Sequence, residues 1–118
     1  MKYFSITEFK CHCGKCGNDP PMNRKFLDMI EMARGISDVT YNVESGYRCP
    51  AHNEAVGSTS TNHTRGLAAD IITLDSQTRG KILKGLYKAG FIRVGISFKR
   101  GFVHCDINDG PESCWDYD

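Results

Sequence analysis

The stretch His63-Thr64-Arg65-Gly66-Leu67-Ala68-Ala69-Asp70-Ile71-Ile72 changes character halfway along. Its first half is polar and holds a glycine that permits a positive φ, which suits a chain turning out of a loop. Its second half is a short apolar run bounded by polar residues, the pattern of a buried strand over Ala68 to Thr73. One carboxylate, Asp70, interrupts that run. A buried carboxylate needs a cation or several donors, so Asp70 asks for a partner.

A second apolar run with polar interruptions, Phe102-Val103-His104-Cys105-Asp106-Ile107, lies near the end of the chain. Strand parity puts Phe102, His104 and Asp106 on one face, as it puts Asp70 and Ile72 on one face of theirs. If the two strands are neighbours, a single face collects Asp70, His104 and Asp106, and the loop brings His63 over it. Two imidazoles and one carboxylate suit Zn²⁺, and three protein ligands leave the fourth tetrahedral position open, as catalytic rather than structural zinc sites do. His63, Asp70 and His104 are therefore the candidate metal ligands.

Around these strands the pattern predicts an α+β fold: a small, mainly antiparallel sheet with helices packed on one side. Asn23 caps a helix in which Phe26, Met29, Ile30 and Ala33 recur at helical spacing, and Gly35 supplies a stop. Thr40 to Glu44 alternates as a strand that Gly46 breaks. Pro50 opens a short helix closed by Gly57, and residues 58–62 read as a loop. Ser76 caps a further helix with Ile82, Leu83, Leu86 and Tyr87 inward, weakened by Gly85 and ended by Gly90. Arg93 to Ser97 and Phe102 to Ile107 form two strands around the turn Phe98-Lys99-Arg100-Gly101. Residues 1–22 read as a Cys-rich loop region without sustained periodicity.

The chain of 118 residues fits a single domain over 1–118. Hydrophobic residues at 40% and charged residues at 25%, with a mean hydropathy of −0.41, are ordinary for a folded globular chain. Fifteen Lys and Arg against 14 Asp and Glu leave a net charge of +1, so no broad basic field recruits nucleic acid. No apolar run approaches the roughly 20 residues needed to cross a bilayer, which excludes a transmembrane segment. The N-terminal Met1 to Phe9 has one Lys, a Glu and no apolar core, so synthesis in a cytoplasm without a secretory signal is expected.

Six cysteines leave metal binding, disulfides and free thiols open. Cys11, Cys13 and Cys16 concentrate thiols in a glycine-containing loop, as structural zinc sites do, and His12, Cys49 or Cys114 could supply a fourth ligand. Strand parity turns Cys105 away from His104, toward the core or a disulfide.

The segment Thr61 to Asp70 resembles the Ser-x-His-x-x-Gly-x-Ala-x-Asp signature of the zinc D-alanyl-D-alanine metallopeptidases, whose fold is shared with the hedgehog signalling domain; Thr61 stands where that family usually has Ser. Ser45-Gly46-Tyr47-Arg48-Cys49-Pro50-Ala51-His52-Asn53 is similar to the family's Ser-Gly-Tyr-Arg segment. Gly101-Phe102-Val103-His104-Cys105-Asp106 is similar to its last zinc strand, and Trp115 falls where compact members have a Trp. The resemblance spans about Phe9 to Trp115. It implies a monomeric murein peptidase, a carboxypeptidase or an endopeptidase of peptidoglycan stem peptides acting at the bacterial wall, of the kind found in phage endolysins. The same fold also serves as a non-catalytic zinc module that binds wall peptide or a protein partner.

The resemblance implies one catalytic Zn²⁺ on His63, Asp70 and His104. Arg48 would bind the substrate and steady the oxyanion through its bidentate fork, with Thr61 and His52 beside it. The family's general base stands three residues before the last zinc His, where this chain has Gly101. Asp106, on the face of His104, is the substitute for the base; its competing role is to orient the His104 imidazole. His52 is the next candidate.

Overall fold

The computed structural model describes residues 1–118. Five strands form one mixed sheet: β1 (Val43–Ser45), β2 (Ala68–Ile72), β3 (Arg93–Ser97), β4 (Phe102–Asp106) and β5 (Ser113–Asp116). They are ordered β1-β2-β4-β3-β5, antiparallel throughout except for β5, which runs parallel to β3. Three α-helices accompany them, α1 (Arg24–Ser37), α2 (Pro50–Ala55) and α3 (Ser76–Lys88), with a single 3₁₀ turn at Ile6–Phe9.

The apolar stripes of α1 and α3 cover one face of the sheet. Phe26, Leu27, Ile30 and Ala33 from α1 and Ile82 and Leu86 from α3 meet Ala69, Ile71, Val94, Val103 and Cys105 in one buried cluster. Phe4 and Phe9 join it, and a run of edge-on rings from Phe9 through Phe26 to Phe91 carries the packing across the N-terminal segment. Burying one such aromatic contributes about 1.5–3 kcal/mol, so the Cys-rich segment is anchored at its start by Phe9. The opposite face is left for α2 and the loops.

The structure moves several predicted boundaries. Gly35 does not stop α1, which runs on to Ser37 and is capped by Asp38 in the left-handed region at φ 55°. Gly35 instead makes room for Tyr3, whose ring would stand 3.3 Å from an added Cβ. Asp75, not Ser76, caps α3, accepting from the Thr78 N–H. Gly85 is the point where α3 touches α1: a Cβ there would collide with Ser37 Oγ. Tyr87, predicted inward, is exposed, while Ser37 and Tyr41 hydrogen-bond each other beneath α3. β1 is shorter than the alternation at Thr40 suggests: it covers only Val43–Ser45, and its register with β2 shifts within that span. β5 was not foreseen.

Candidate functional site

Asp70 and His104 are cross-strand partners in the β2–β4 ladder, which brings their side chains together on the uncovered face. His104 Nδ1 lies 2.8 Å from Asp70 Oδ1. His63 arrives from the loop, held in place from behind: its Nδ1 is 2.7 Å from the Gly46 carbonyl oxygen, which can only accept, so Nδ1 carries the proton. That leaves His63 Nε2 facing Asp70 Oδ2 at 3.5 Å. One donor atom from each of His63, Asp70 and His104 lies within 4.8 Å of the others. Gly66, at φ +67°, allows the turn between His63 and β2, and it packs so tightly on Pro21 that no Cβ would fit.

The charge pattern fits a cation. Burial disfavours ionisation of Asp70, yet the hydrogen bond from His104, with the His63 imidazole beside it, holds its carboxyl well below the usual carboxylate range. Burial likewise opposes charge on His104, but Asp106 and Asp70, one at each ring nitrogen, raise its pKa. His104 Nδ1 and Asp70 Oδ1 thus face each other at 2.8 Å across the place a metal ion would take. The donor set and its supporting hydrogen bonds fit a metal ion such as zinc, with the Gly46 carbonyl hydrogen-bonded to one imidazole and Asp106 to the other.

Asp106 stands behind His104. Its Oδ2 accepts from His104 Nε2 at 2.7 Å, on the opposite side of the ring from Asp70, and its Oδ1 accepts from Arg93 Nε at 2.7 Å and from the Asn108 N–H. The side chain is 0% exposed. Burial pushes its carboxyl up, and the His104 and Arg93 hydrogen bonds more than reverse this. A carboxylate so enclosed orients an imidazole; it has no free lone pair directed at a water on the Asp70 side.

Arg48 reaches the centre from the segment before α2. Its side chain is 13% exposed, with Nη2 3.9 Å from Asp70 Oδ2 and Nη1 donating to Asn53 Oδ1. Its Nε is buried without a hydrogen-bond partner. Arg48 opens onto a cleft of about 760 Å³ together with His52, His63, Asp70 and His104. Thr61 is exposed on the outside of the loop, where Ser60 and Asn62 line the cleft in its stead. Gly101 occupies a tight turn at φ +73°, and an added Cβ would come within 3.1 Å of Leu74.

Several cleft residues escape the sequence reading. Arg93 pairs with Asp106 across β3 and β4, and its guanidinium lies 5.2 Å from the Trp115 ring centroid. Tyr117 forms part of the wall, with burial pushing its phenol up to about 12. Asn62 donates to Asp106 Oδ2 and accepts from Asn108. No local signal marks Arg93 or Tyr117; Asn62 could have been suspected only from its place beside His63.

The four thiols of Cys11, Cys13, Cys16 and Cys49 form a second group whose sulfurs lie within 4.8 Å of one another. All six cysteines are free, and Cys105 is buried in the core as its parity predicts. Hydrogen bonds from the Lys15 and Cys16 backbone lower the Cys13 thiol to about 6. Cys114 is exposed on β5 and His12 turns toward Glu44, its Nε2 3.0 Å from that carbonyl. No helix is long and apolar enough to cross a membrane. A family model described as Peptidase M15 matches residues 2–106. No curated protein matches the chain.

Proposed function

We propose, from the premise that the chain belongs to the peptidase M15 family, that this metallopeptidase hydrolyses peptide bonds of peptidoglycan stem peptides at the bacterial wall, as a carboxypeptidase or an endopeptidase. The observation that carries the proposal is the convergence of His63 Nε2, Asp70 and His104 Nδ1 at the floor of a cleft beside Arg48. A zinc ion on these three groups supplies Lewis acidity, polarising a scissile carbonyl and acidifying water.

The chain's own residues provide the rest. Arg48 sets its guanidinium on the cleft lining with Nη2 3.9 Å from Asp70, suited to a substrate carboxylate or carbonyl and to the oxyanion that develops during attack. Arg93 and Arg100 also line the cleft; Arg93 is paired with Asp106, and Arg48 and Arg100 are the cations suited to an anionic peptide such as a wall stem with its free carboxylates. Trp115 and Tyr117 give one wall an apolar surface for the peptide. Gly46 and Asp106 fix the two imidazoles, so Asp106 acts as an orienting carboxylate. The proton acceptor then comes from the open side of the cleft, where His52 is the candidate.

Gly101, in place of a carboxylate before β4, favours a second reading, a zinc module that binds wall peptide without cutting it. Digesting purified peptidoglycan with zinc-loaded protein, with and without chelator, separates the two. Chelator-sensitive release of peptides with new termini, identified by mass spectrometry, supports the peptidase. Tight pull-down of peptidoglycan without release supports the binding module.

A further inference from the structure

Outside the cleft, the N-terminal loop brings three cysteines to a fourth that lies far along the chain. Cys11, Cys13 and Cys16 sit in an irregular segment, and Cys49 immediately follows Arg48. Their four sulfurs lie within 4.8 Å of one another, with Cys13 Sγ and Cys16 Sγ at 3.5 Å. Sulfurs on a tetrahedral ion with Zn–S bonds of about 2.3 Å stand about 3.8 Å apart, a spacing that lies between the 3.5 Å of the Cys13–Cys16 pair and the 4.8 Å within which all four fall. Two backbone amides already point at the sulfurs: Lys15 N–H to Cys13 Sγ and Cys49 N–H to Cys11 Sγ, each at 3.3 Å. Supporting hydrogen bonds of this kind orient ligands in metal sites. Gly14, at φ +79° with open space around it, lets the loop double back between Cys13 and Cys16.

The surroundings also need such a fastening. Residues 12–19 have no helix or strand and are nearly all exposed, so little apolar burial offsets the entropy of ordering them. We infer that Cys11, Cys13, Cys16 and Cys49 form a second, structural metal centre, a tetrathiolate Zn²⁺ site that staples the N-terminal loop to the segment bearing Arg48. Four thiolates complete the coordination shell and leave no open position, so this centre is structural where the His63 centre is open. The staple acts on two sides of the cleft at once. His12, between two of the ligands, lines one wall, and Arg48, one bond before the last ligand, lines another.

The inference stands apart from the peptidase reading, and its test avoids catalysis. The His63→Ala protein, prepared under reducing conditions with all six cysteines intact, is loaded with Co²⁺. A near-ultraviolet thiolate-to-cobalt charge-transfer band with tetrahedral visible bands, at one equivalent bound, is expected. Elemental analysis and native mass spectrometry should give two zinc equivalents for the unsubstituted chain and one for His63→Ala. Cys16→Ser should also retain one, with the charge-transfer band weakened or lost. If Cys16→Ser does not fold, the cobalt spectrum of His63→Ala decides alone. No thiolate band in that spectrum, or native-fold protein whose mass lacks two hydrogens per cysteine pair and which binds no cobalt after reduction, overturns the inference.

Discussion

The two ligand clusters are linked through one segment, in which Arg48 beside the His63 centre precedes Cys49 of the cysteine group, and they are built in opposite ways. The His63, Asp70 and His104 group rests on a strand ladder: Asp70 and His104 are directly opposed in β2 and β4, and the backbone of Gly46 and the carboxylate of Asp106 fix the rings. The cysteine group rests on loops, with three members in a short irregular segment and the fourth at the entry to α2. A sheet positions side chains by register before any ion arrives, and can leave a coordination position open for chemistry. A loop cluster has no such scaffold, and all four positions are filled by thiols. Preorganisation goes with reactivity, and saturation with holding the chain.

Substitutions at the ladder should break this contrast most sharply. His63→Ala is expected to abolish chelator-sensitive hydrolysis and to remove one zinc equivalent, while the thiolate-bound equivalent remains; metal analysis alongside a peptide-release assay reads both. Loss of both equivalents together would mean the clusters are not independent. Next in size is Arg48→Ala, which should lower kcat by about 10²–10³ with zinc content unchanged, because its contact is to substrate. Arg48→Lys should not restore the rate, since an ammonium lacks the fork; steady-state kinetics on a defined stem peptide measures both.

A smaller effect is expected at Asp106. Asp106→Asn should weaken zinc binding at the His63 centre by about 10–100-fold, with activity recovered at saturating zinc, as for a group that orients a ligand. A rate loss of about 10²–10⁴ that added zinc does not repair would instead make it the base. Titrating zinc into the metal-stripped variant while following hydrolysis distinguishes these. The least effect concerns the seam between the clusters. A Cβ on Gly46 would stand 2.7 Å from Phe9 Cα, so Gly46→Ala should cost about 1–3 kcal/mol of stability, read by urea unfolding. Because Gly46 also accepts from His63 and lies next to the cysteine loop's anchor at Phe9, both zinc affinities should fall together.

The same contrast explains what could be read from the sequence. Alternation in Ala68 to Ile72 and Phe102 to Asp106 is a property of the chain itself, so the facing of Asp70, His104 and Cys105 follows from parity alone. The pairing Arg93–Asp106 depends on which strands become neighbours, and nothing local in Arg93-Val94-Gly95-Ile96-Ser97 announces it. β5 escaped for a similar reason: Ser113-Cys114-Trp115-Asp116 is short, follows the turn residues Asp109-Gly110-Pro111, and gains its strand form only by lying parallel to β3. The orienting role of Asp106 was weighed against catalysis from parity, but its burial, which favours orientation, is tertiary. Gly35 and Gly85 misled because a helical glycine signals weakness locally, whereas here each admits a neighbour, Tyr3 in one case and Ser37 in the other.

The place of β5 at the sheet edge has a consequence for how the cleft is built. Asp70 and His104 sit on β2 and β4, each paired on both edges, whereas β5 pairs with β3 alone. The residues matched by the family model also stop at Asp106, short of this strand. Trp115 and Tyr117 therefore join a centre carried by the inner strands, as a wall at the rim rather than part of its foundation. The metal-ligating residues of the sheet are thus fixed by its middle, and the apolar wall that faces a peptide hangs from a strand held on one edge by β3 alone.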